Sequence, residues 1–159
     1  MKIEFTLPVE AKTKKNHPQI VWKKQTFQIR IGKFTVATIP YTPFIIPSKG
    51  YSEFEKEVIP YFERIKADAG LVDFPVNIQV LFYMKTKRLC DLTNLLAAVD
   101  DAAVKSGLLL DDNRDIIAAH DGSRVFYDKI NPRISVVITE MQDYTQWNDT
   151  ISKQQKLGI

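Results

Sequence analysis

The chain has 159 residues, of which 45% are hydrophobic and 26% charged, and a formal net charge of +3 at pH 7. These proportions are ordinary for a globular domain and exclude a largely disordered chain. The single cysteine, Cys90, excludes an internal disulfide and a cysteine-based zinc site. No apolar run approaches the about 20 residues of a membrane span, and the N-terminus lacks a signal-peptide pattern, so we expect a cytoplasmic protein without membrane contact.

The first part of the chain is predicted to be extended. Residues 2–7 alternate polar and apolar side chains as a strand does. Residues 26–31 and 34–39 are two further extended runs, and Gly32-Lys33 between them suits a two-residue hairpin turn. Residues 40–47 contain three prolines and are predicted to form a linker.

Positive charge is concentrated in this same part. Residues 1–35 hold eight Lys and Arg residues against two Glu, which gives +6 and leaves −3 for the remainder. Lysines that contact phosphates release counterions, so a basic arm indicates a nucleic-acid contact; a solvated basic surface is the alternative. The residues predicted to contact the phosphate backbone here are Lys12, Lys14, Lys15, Asn16, Lys23 and Lys24.

A helix and a strand are predicted in the middle of the chain. Ser52-Glu53-Phe54-Glu55 is a capping-box pattern that opens a helix reaching Ala67 or Ala69, and Gly70 ends it. Residues 76–84 follow as a strand. Three cations then precede an acidic stretch, where they either grip a nucleic-acid strand or offset nearby aspartates: Lys85, Lys87 and Arg88.

Residues 92–105 are predicted to form an amphipathic helix. At about 100° per residue their leucines, valine and alanines fall on one broad face. Asp91 or Thr93 serves as the N-cap, and Gly107 is a plausible stop. A short apolar strand, residues 108–110, is expected to follow.

Six aspartates lie between residues 91 and 115, against two cations. We expect the helix and the strand to carry Asp91 back toward Asp111 and Asp112. Carboxylates that meet repel one another unless a cation neutralises them, and a hard divalent ion does so while activating water at a phosphodiester. The alternative is that these aspartates are helix caps, turn residues and a solvated face.

The rest of the chain is predicted to hold strands at 115–119 and 133–139 and a polar tail at 141–159, so that residues 1–140 form one domain. His120 stands in no metal-ligand spacing and is given no role. Two helices among these strands predict an α+β fold with a mixed β-sheet.

Residues 85–141 contain an ordered set of motifs. After the basic run come Asp91-Leu-Thr-Asn-Leu-Leu, Asp101-Ala, Leu110-Asp111-Asp112, and Arg133-Ile-Ser-Val-Val-Ile-Thr-Glu-Met. In this order and spacing the block, about a third of the chain, resembles the RusA family of Holliday junction resolvases. The resemblance implies a RusA-like fold and a homodimeric endonuclease, dependent on Mg²⁺ with Mn²⁺ as a substitute. Such an enzyme resolves four-way DNA junctions by paired symmetric nicks, in recombination and repair, often in a phage or prophage.

The resemblance also implies residue roles. Asp91 and Asp112 match the family's first and third catalytic aspartates and would bind the metal. Asp101 and Asp111 are retained as catalytic candidates that complete or orient the ligand set. The basic run and Lys105 join the residues predicted to contact DNA.

Two positions depart from the family pattern. Thr93 stands where the second catalytic aspartate is expected, which removes one negative charge from the metal site. Ala97 stands where the family has its catalytic lysine, a contribution often worth a few kcal/mol. Lys105, Lys87 or Arg88 would have to replace it. The alternative function is a binding protein for branched DNA whose cleavage is impaired.

Overall fold

The structure, a computed structural model, describes residues 1–13 and 19–142. The elements in chain order are β1 (Lys2–Leu7), β2 (Gln19–Ile31), β3 (Phe34–Ile46), α1 (Lys49–Ala69), β4 (Val76–Met84), α2 (Leu92–Lys105), β5 (Ile117–Ala119), β6 (Arg124–Tyr127) and β7 (Arg133–Glu140). A five-stranded sheet has the order β1-β7-β4-β5, and its fifth strand, β6, also pairs with β4. β2 and β3 form a separate two-stranded sheet. β7 is antiparallel to β1 and β4, whereas β5 and β6 run parallel to β4. The predicted α+β fold with a mixed sheet and two helices is confirmed.

One core holds the sheet and both helices together. β4 and β7 bury every second side chain, as strands with one covered face do. The buried side chains of α1 and α2 belong to the same cluster, and the rings of Phe5 and Phe62 meet edge to face at 5.6 Å. Full burial of one such side chain contributes about 1.5–3 kcal/mol to the free energy of folding. The buried face of α2 therefore determines where this helix and its two ends lie. No helix in the described ranges is long and apolar enough to cross a membrane.

The start of α1 differs from the prediction. Ser48, not Ser52, is the N-cap, and its Oγ accepts the Tyr51 N–H at 3.3 Å. Ser48 has the extended backbone of a cap (φ −60°, ψ 153°), whereas Ser52 already lies within the helix, so the predicted capping box was wrong. The end is as predicted, because Gly70 takes φ 84° after Ala69.

The hairpin is longer than predicted. β3 continues to Ile46, so the predicted linker was wrong over most of its length. In a two-stranded sheet each strand keeps a free edge, and a proline without an N–H is tolerated there. The register shift between Lys24 and Phe27 lies opposite Pro40, and Pro43 pairs with Trp22.

Three details of the C-terminal half also differ. Residues 108–110 form no strand: Leu109 makes an isolated bridge with Val72, whose carbonyl accepts the Leu110 N–H at 3.0 Å. The strand predicted from Asp115 begins only at Ile117. β6 was not predicted, because all four of its residues are exposed and it lacks the alternation that marks a half-buried strand.

Candidate functional site

Asp91 stands at the N-terminus of α2 with both carboxylate oxygens engaged. Oδ1 accepts the Thr93 N–H at 3.0 Å and the Thr93 hydroxyl at 2.7 Å, and Oδ2 accepts the Asn94 side-chain amide at 3.0 Å. Of the two predicted N-cap candidates, Asp91 and Thr93, Asp91 is the N-cap of α2. These bonds orient the carboxylate, and the positive end of the helix dipole favours its charge. A carboxylate has about four lone-pair sites, so it can still accept a further partner.

Asp91 lines a cleft of about 440 Å³ that also involves the end of β4 and the segment after β1. The cleft combines two acids with two cations, so it can take up both a cation and a phosphate group. The hydroxyl of Thr13 is buried there and has no hydrogen-bond partner within the described part of the chain. The polar lining side chains used below are Glu10, Lys12, Arg88, Asp91 and Asn94.

Glu10 ties the segment after β1 to the end of β4. Its Oε2 pairs with Lys12 Nζ at 2.7 Å, and its Oε1 accepts the Lys85 N–H at 2.9 Å. Burial alone would raise the pKa of Glu10, but Lys12 and the Lys85 amide outweigh burial and hold that pKa below 4.5. Glu10 is therefore charged at neutral pH. Sequence reasoning missed it, because a lone acid in a basic segment belongs to no motif.

Asp100 and His120 form a second polar cluster, at the C-terminal half of α2. Asp100 Oδ2 lies 3.1 Å from His120 Nε2, and His120 Nδ1 lies 2.9 Å from the carbonyl of Ile78. Burial and the charges of Asp112 and Asp101 raise the pKa of Asp100, although His120 lowers it. Burial lowers the pKa of His120, but the Asp100 carboxylate outweighs it and raises that pKa above 6.5. No sequence motif indicates this pair, since Asp100 and His120 lie 20 residues apart.

Asp101 and Lys105 face α1. The buried Tyr51 hydroxyl donates to Asp101 Oδ2 at 3.3 Å, and Lys105 forms a salt bridge with Glu55. Burial raises the pKa of Tyr51 well above 10, so the phenol stays a donor. Of the cations that sequence reasoning considered as replacements for the missing lysine, Lys105 is thus engaged with α1, whereas Arg88 lines the cleft with Asp91.

Asp111 and Asp112 lie in the exposed loop after α2. Asp111 Oδ1 accepts the Asp112 N–H at 2.7 Å and Oδ2 accepts the Asn113 amide at 2.9 Å, and these bonds hold the pKa of Asp111 below 3.8. Neither aspartate is among the residues that line the cleft. Leu108 and Leu110, which precede them, hydrogen-bond to Val72. Within residues 1–13 and 19–142 no three His, Cys, Asp or Glu side chains are grouped so as to hold a metal ion.

Several residues predicted to bind DNA lie around the cleft. Lys12 and Arg88 line it, and Lys85 and Lys87 are exposed beside it at the end of β4. Lys23 and Lys24 lie on β2, opposite Thr42 and Tyr41 of β3. The predictions for Lys14, Lys15 and Asn16 fall outside the described residues.

The donor set of the cleft suits one mode of metal binding. Mg²⁺ is usually held by one or two carboxylates, several waters and oxygens of a substrate phosphate. Asp91 offers an oriented carboxylate, and Glu10 is a second carboxylate in the same cleft. The cleft therefore fits an ion that is completed by its substrate.

Comparison with known proteins assigns no family. The chain matches no family model, and no curated protein is similar to it in sequence.

Proposed function

We propose that the protein is a Mg²⁺-dependent, structure-specific endodeoxyribonuclease that resolves four-way DNA junctions. The cleft carries this proposal, because Lys12 and Arg88 line it together with the oriented carboxylate of Asp91. A phosphodiester is bound by cations and is hydrolysed beside a carboxylate-held metal, so the cleft combines what the reaction needs. The resemblance to RusA resolvases adds the junction and a homodimer, whose two-fold symmetry suits paired nicks.

Five residues in or next to the cleft have a role in this proposal. Asp91 would hold the ion, and Thr93 and Asn94 fix the orientation of its carboxylate. Bound Mg²⁺ supplies a water of lowered pKa and stabilises charge on the phosphate oxygens. Lys12 would bind the backbone, and Arg88 would stabilise charge at the phosphorus in place of a lysine at Ala97. Asp112 is the second predicted ligand from the resemblance.

The test uses a labelled synthetic four-way junction and a linear duplex, each with Mg²⁺, Mn²⁺ or EDTA. We expect paired, metal-dependent nicks in the junction alone, which Asp91→Asn abolishes. Loss of the nicks in Asp112→Asn as well would establish Asp112 as the second ligand that the resemblance predicts. Arg88→Gln should lower the rate by about 10²-fold, the scale of one lost transition-state donor. Asp68→Asn, an exposed acid on α1, is the matched control and should cut normally. Nicks that persist in Asp91→Asn would refute the role of the cleft.

A second candidate is a protein that binds branched DNA without cutting it. Thr93 favours this candidate, because it stands where the family pattern has an acid. Its hydroxyl donates a hydrogen bond to Asp91 Oδ1 at 2.7 Å and brings no negative charge. Junction binding without cleavage under any metal would establish it. Thr93→Asp should then create metal-dependent nicks, because it restores one negative charge beside Asp91.

A further inference from the structure

A row of three side chains crosses the face of the sheet opposite the core. The strand register places Arg133 of β7, Tyr83 of β4 and Phe126 of β6 side by side. The Arg133 guanidinium lies 3.5 Å from the centre of the Tyr83 ring, and the Phe126 ring stacks on Tyr83 at 5.2 Å with an interplanar angle of 20°. We call these three side chains the aromatic row.

The row is held in place before any ligand arrives. Asp128 Oδ2 accepts from Arg133 Nη1 at 2.8 Å, and the same nitrogen donates to the Asn131 carbonyl at 2.8 Å. Asp128 Oδ1 accepts the backbone N–H groups of Ile130 and Asn131. A ligand that stacks on the row therefore loses little affinity to ordering these side chains.

The row ends in an exposed ring at the edge of the sheet. β6 pairs with β4 alone among the described strands, and Phe126 is 40% exposed. The next residue, Tyr127, is 49% exposed and has Lys87 Nζ 5.1 Å from its ring centre. Aromatic rings interleaved with cations are what proteins use to stack unpaired bases while binding the adjoining phosphates.

Charge selects a polyanion over a second copy of the protein. The segments 85–88 and 124–133 together hold six Lys and Arg residues against Asp128 alone. A symmetric contact would bring two such surfaces together, so like charges would repel, whereas a nucleic acid would be attracted. Met84 lines the cleft and pairs in register with Tyr127, the residue that follows Phe126 in β6. The cleft and the exposed end of the row therefore lie at adjacent residues of the sheet, on its opposite faces.

We propose that the aromatic row stacks an unpaired base of a branched nucleic acid bound at the cleft. The proposal rests on the DNA binding proposed above but not on cleavage. Phe126 would contact the base, Lys87 and Arg124 the adjoining phosphates, and Tyr83 and Arg133 would hold Phe126 in position.

The test titrates the protein, in EDTA, into two DNAs of equal length. One is a duplex with a single unpaired 2-aminopurine, and the other is fully paired and carries 2-aminopurine within the helix. We expect quenching of the unpaired fluorophore only. Phe126→Leu should weaken binding to the unpaired-base DNA about tenfold and leave the paired duplex within about twofold, since one stacked base is lost. Tyr61→Leu is the matched control, because Tyr61 also has a cation, Arg64, over its ring.

The other outcomes separate the two proposals. Wild-type protein that binds both DNAs without quenching would overturn the stacking site and leave the proposed DNA binding standing. Binding to neither DNA would overturn the stacking site, whereas the proposed junction binding is decided by the four-way junction assay above. Phe126→Leu could instead halve the molar mass in sedimentation and weaken binding to both DNAs equally. A second protomer would then cover the row, and the stacking site would be overturned. The quenching of the wild type needs no variant, so poor folding of Phe126→Leu would not block the test.

Discussion

Asp91 combines two tasks that a single substitution can separate. As the N-cap it accepts the Thr93 N–H, and as a cleft residue it presents a negative charge beside Arg88. Asparagine caps a helix about as well as aspartate, because its side-chain oxygen can accept the same N–H. Metal binding needs the carboxylate charge, whereas the cap needs only an accepting oxygen.

Asp91→Asn should therefore leave the free energy of unfolding nearly unchanged and abolish metal-dependent cleavage. Asp91→Ala should lose cleavage and also about 1 kcal/mol of stability, because the cap is lost. Urea denaturation of both variants beside the nuclease assay checks this. An Asn variant as unstable as the Ala variant would show that the charge itself stabilises α2.

The Asp100–His120 pair makes stability depend on pH. Both groups have pKa values above their ordinary ones, so the folded protein binds their protons more tightly than the unfolded chain. Such a group stabilises the fold fully below its unfolded pKa and loses that effect as pH rises through the folded pKa. The stability from Asp100 is therefore lost only above pH 3.8, and the stability from His120 only above pH 6.5, the ordinary pKa values of the two groups.

The free energy of unfolding should thus fall in the wild type as pH rises through the range above 6.5, since the folded protein loses the tightly held proton of His120 there. In His120→Gln, which cannot titrate, the fall should disappear. Urea denaturation at three pH values in this range measures it. Glu10, Asp111 and Asp128 have lowered pKa values and act below this range, so an equal fall in the variant would locate the titration elsewhere.

At the scale of elements, the start of α1 was predicted at the wrong serine, because two possible N-cap residues lie close together in the sequence. Ser48 and Ser52 are about one helical turn apart, so either serine could serve as the N-cap. Only Ser52 is followed three residues later by an acid, Glu55, as in a capping box. The structure selects Ser48, whose Oγ accepts the Tyr51 N–H and whose carbonyl accepts the Ser52 N–H at 3.0 Å. A helix that begins after Ser48 includes Tyr51, whose fully buried side chain belongs to the core.

Ser48→Ala should lower the free energy of unfolding by about 1 kcal/mol, because an N-terminal N–H loses its acceptor. Ser52→Ala should change it by less than about 0.5 kcal/mol, since alanine is a good interior helix residue. Chemical denaturation of the two variants compares them under identical conditions. A larger loss of stability in Ser52→Ala than in Ser48→Ala would show instead that Ser52 is the N-cap of α1, as the capping-box pattern predicts.

At the scale of the whole molecule, the hairpin presents an apolar stripe. Ile20 pairs with Ile45 and Trp22 with Pro43, which puts the four residues on one face. Ile20, Trp22 and Ile45 are 66%, 64% and 76% exposed. β2 and β3 pair only with each other in the described part of the chain, and an isolated hairpin is marginally stable in water.

We expect this stripe to lie in the interface of the proposed homodimer. The double substitution Trp22→Glu with Ile45→Glu should halve the molar mass in sedimentation, because buried unpaired charge opposes association. Leu71→Glu, an exposed leucine after α1, is the control and should remain dimeric. A wild-type monomer, or a double variant that stays dimeric, would contradict this interface.

Local periodicity by itself determined β4, α2 and β7, because each buries one regular face and its sequence repeats with the period of that face. The residue types before α2 limited its N-cap to Asp91 or Thr93. Tertiary structure alone decided the features that depend on pairing between distant residues. These are β6, the Asp100–His120 pair, the absence of Asp111 and Asp112 from the lining of the cleft, and the row of Arg133, Tyr83 and Phe126. The physical reason is that periodicity records the burial of one element, whereas strand register sets which distant side chains meet.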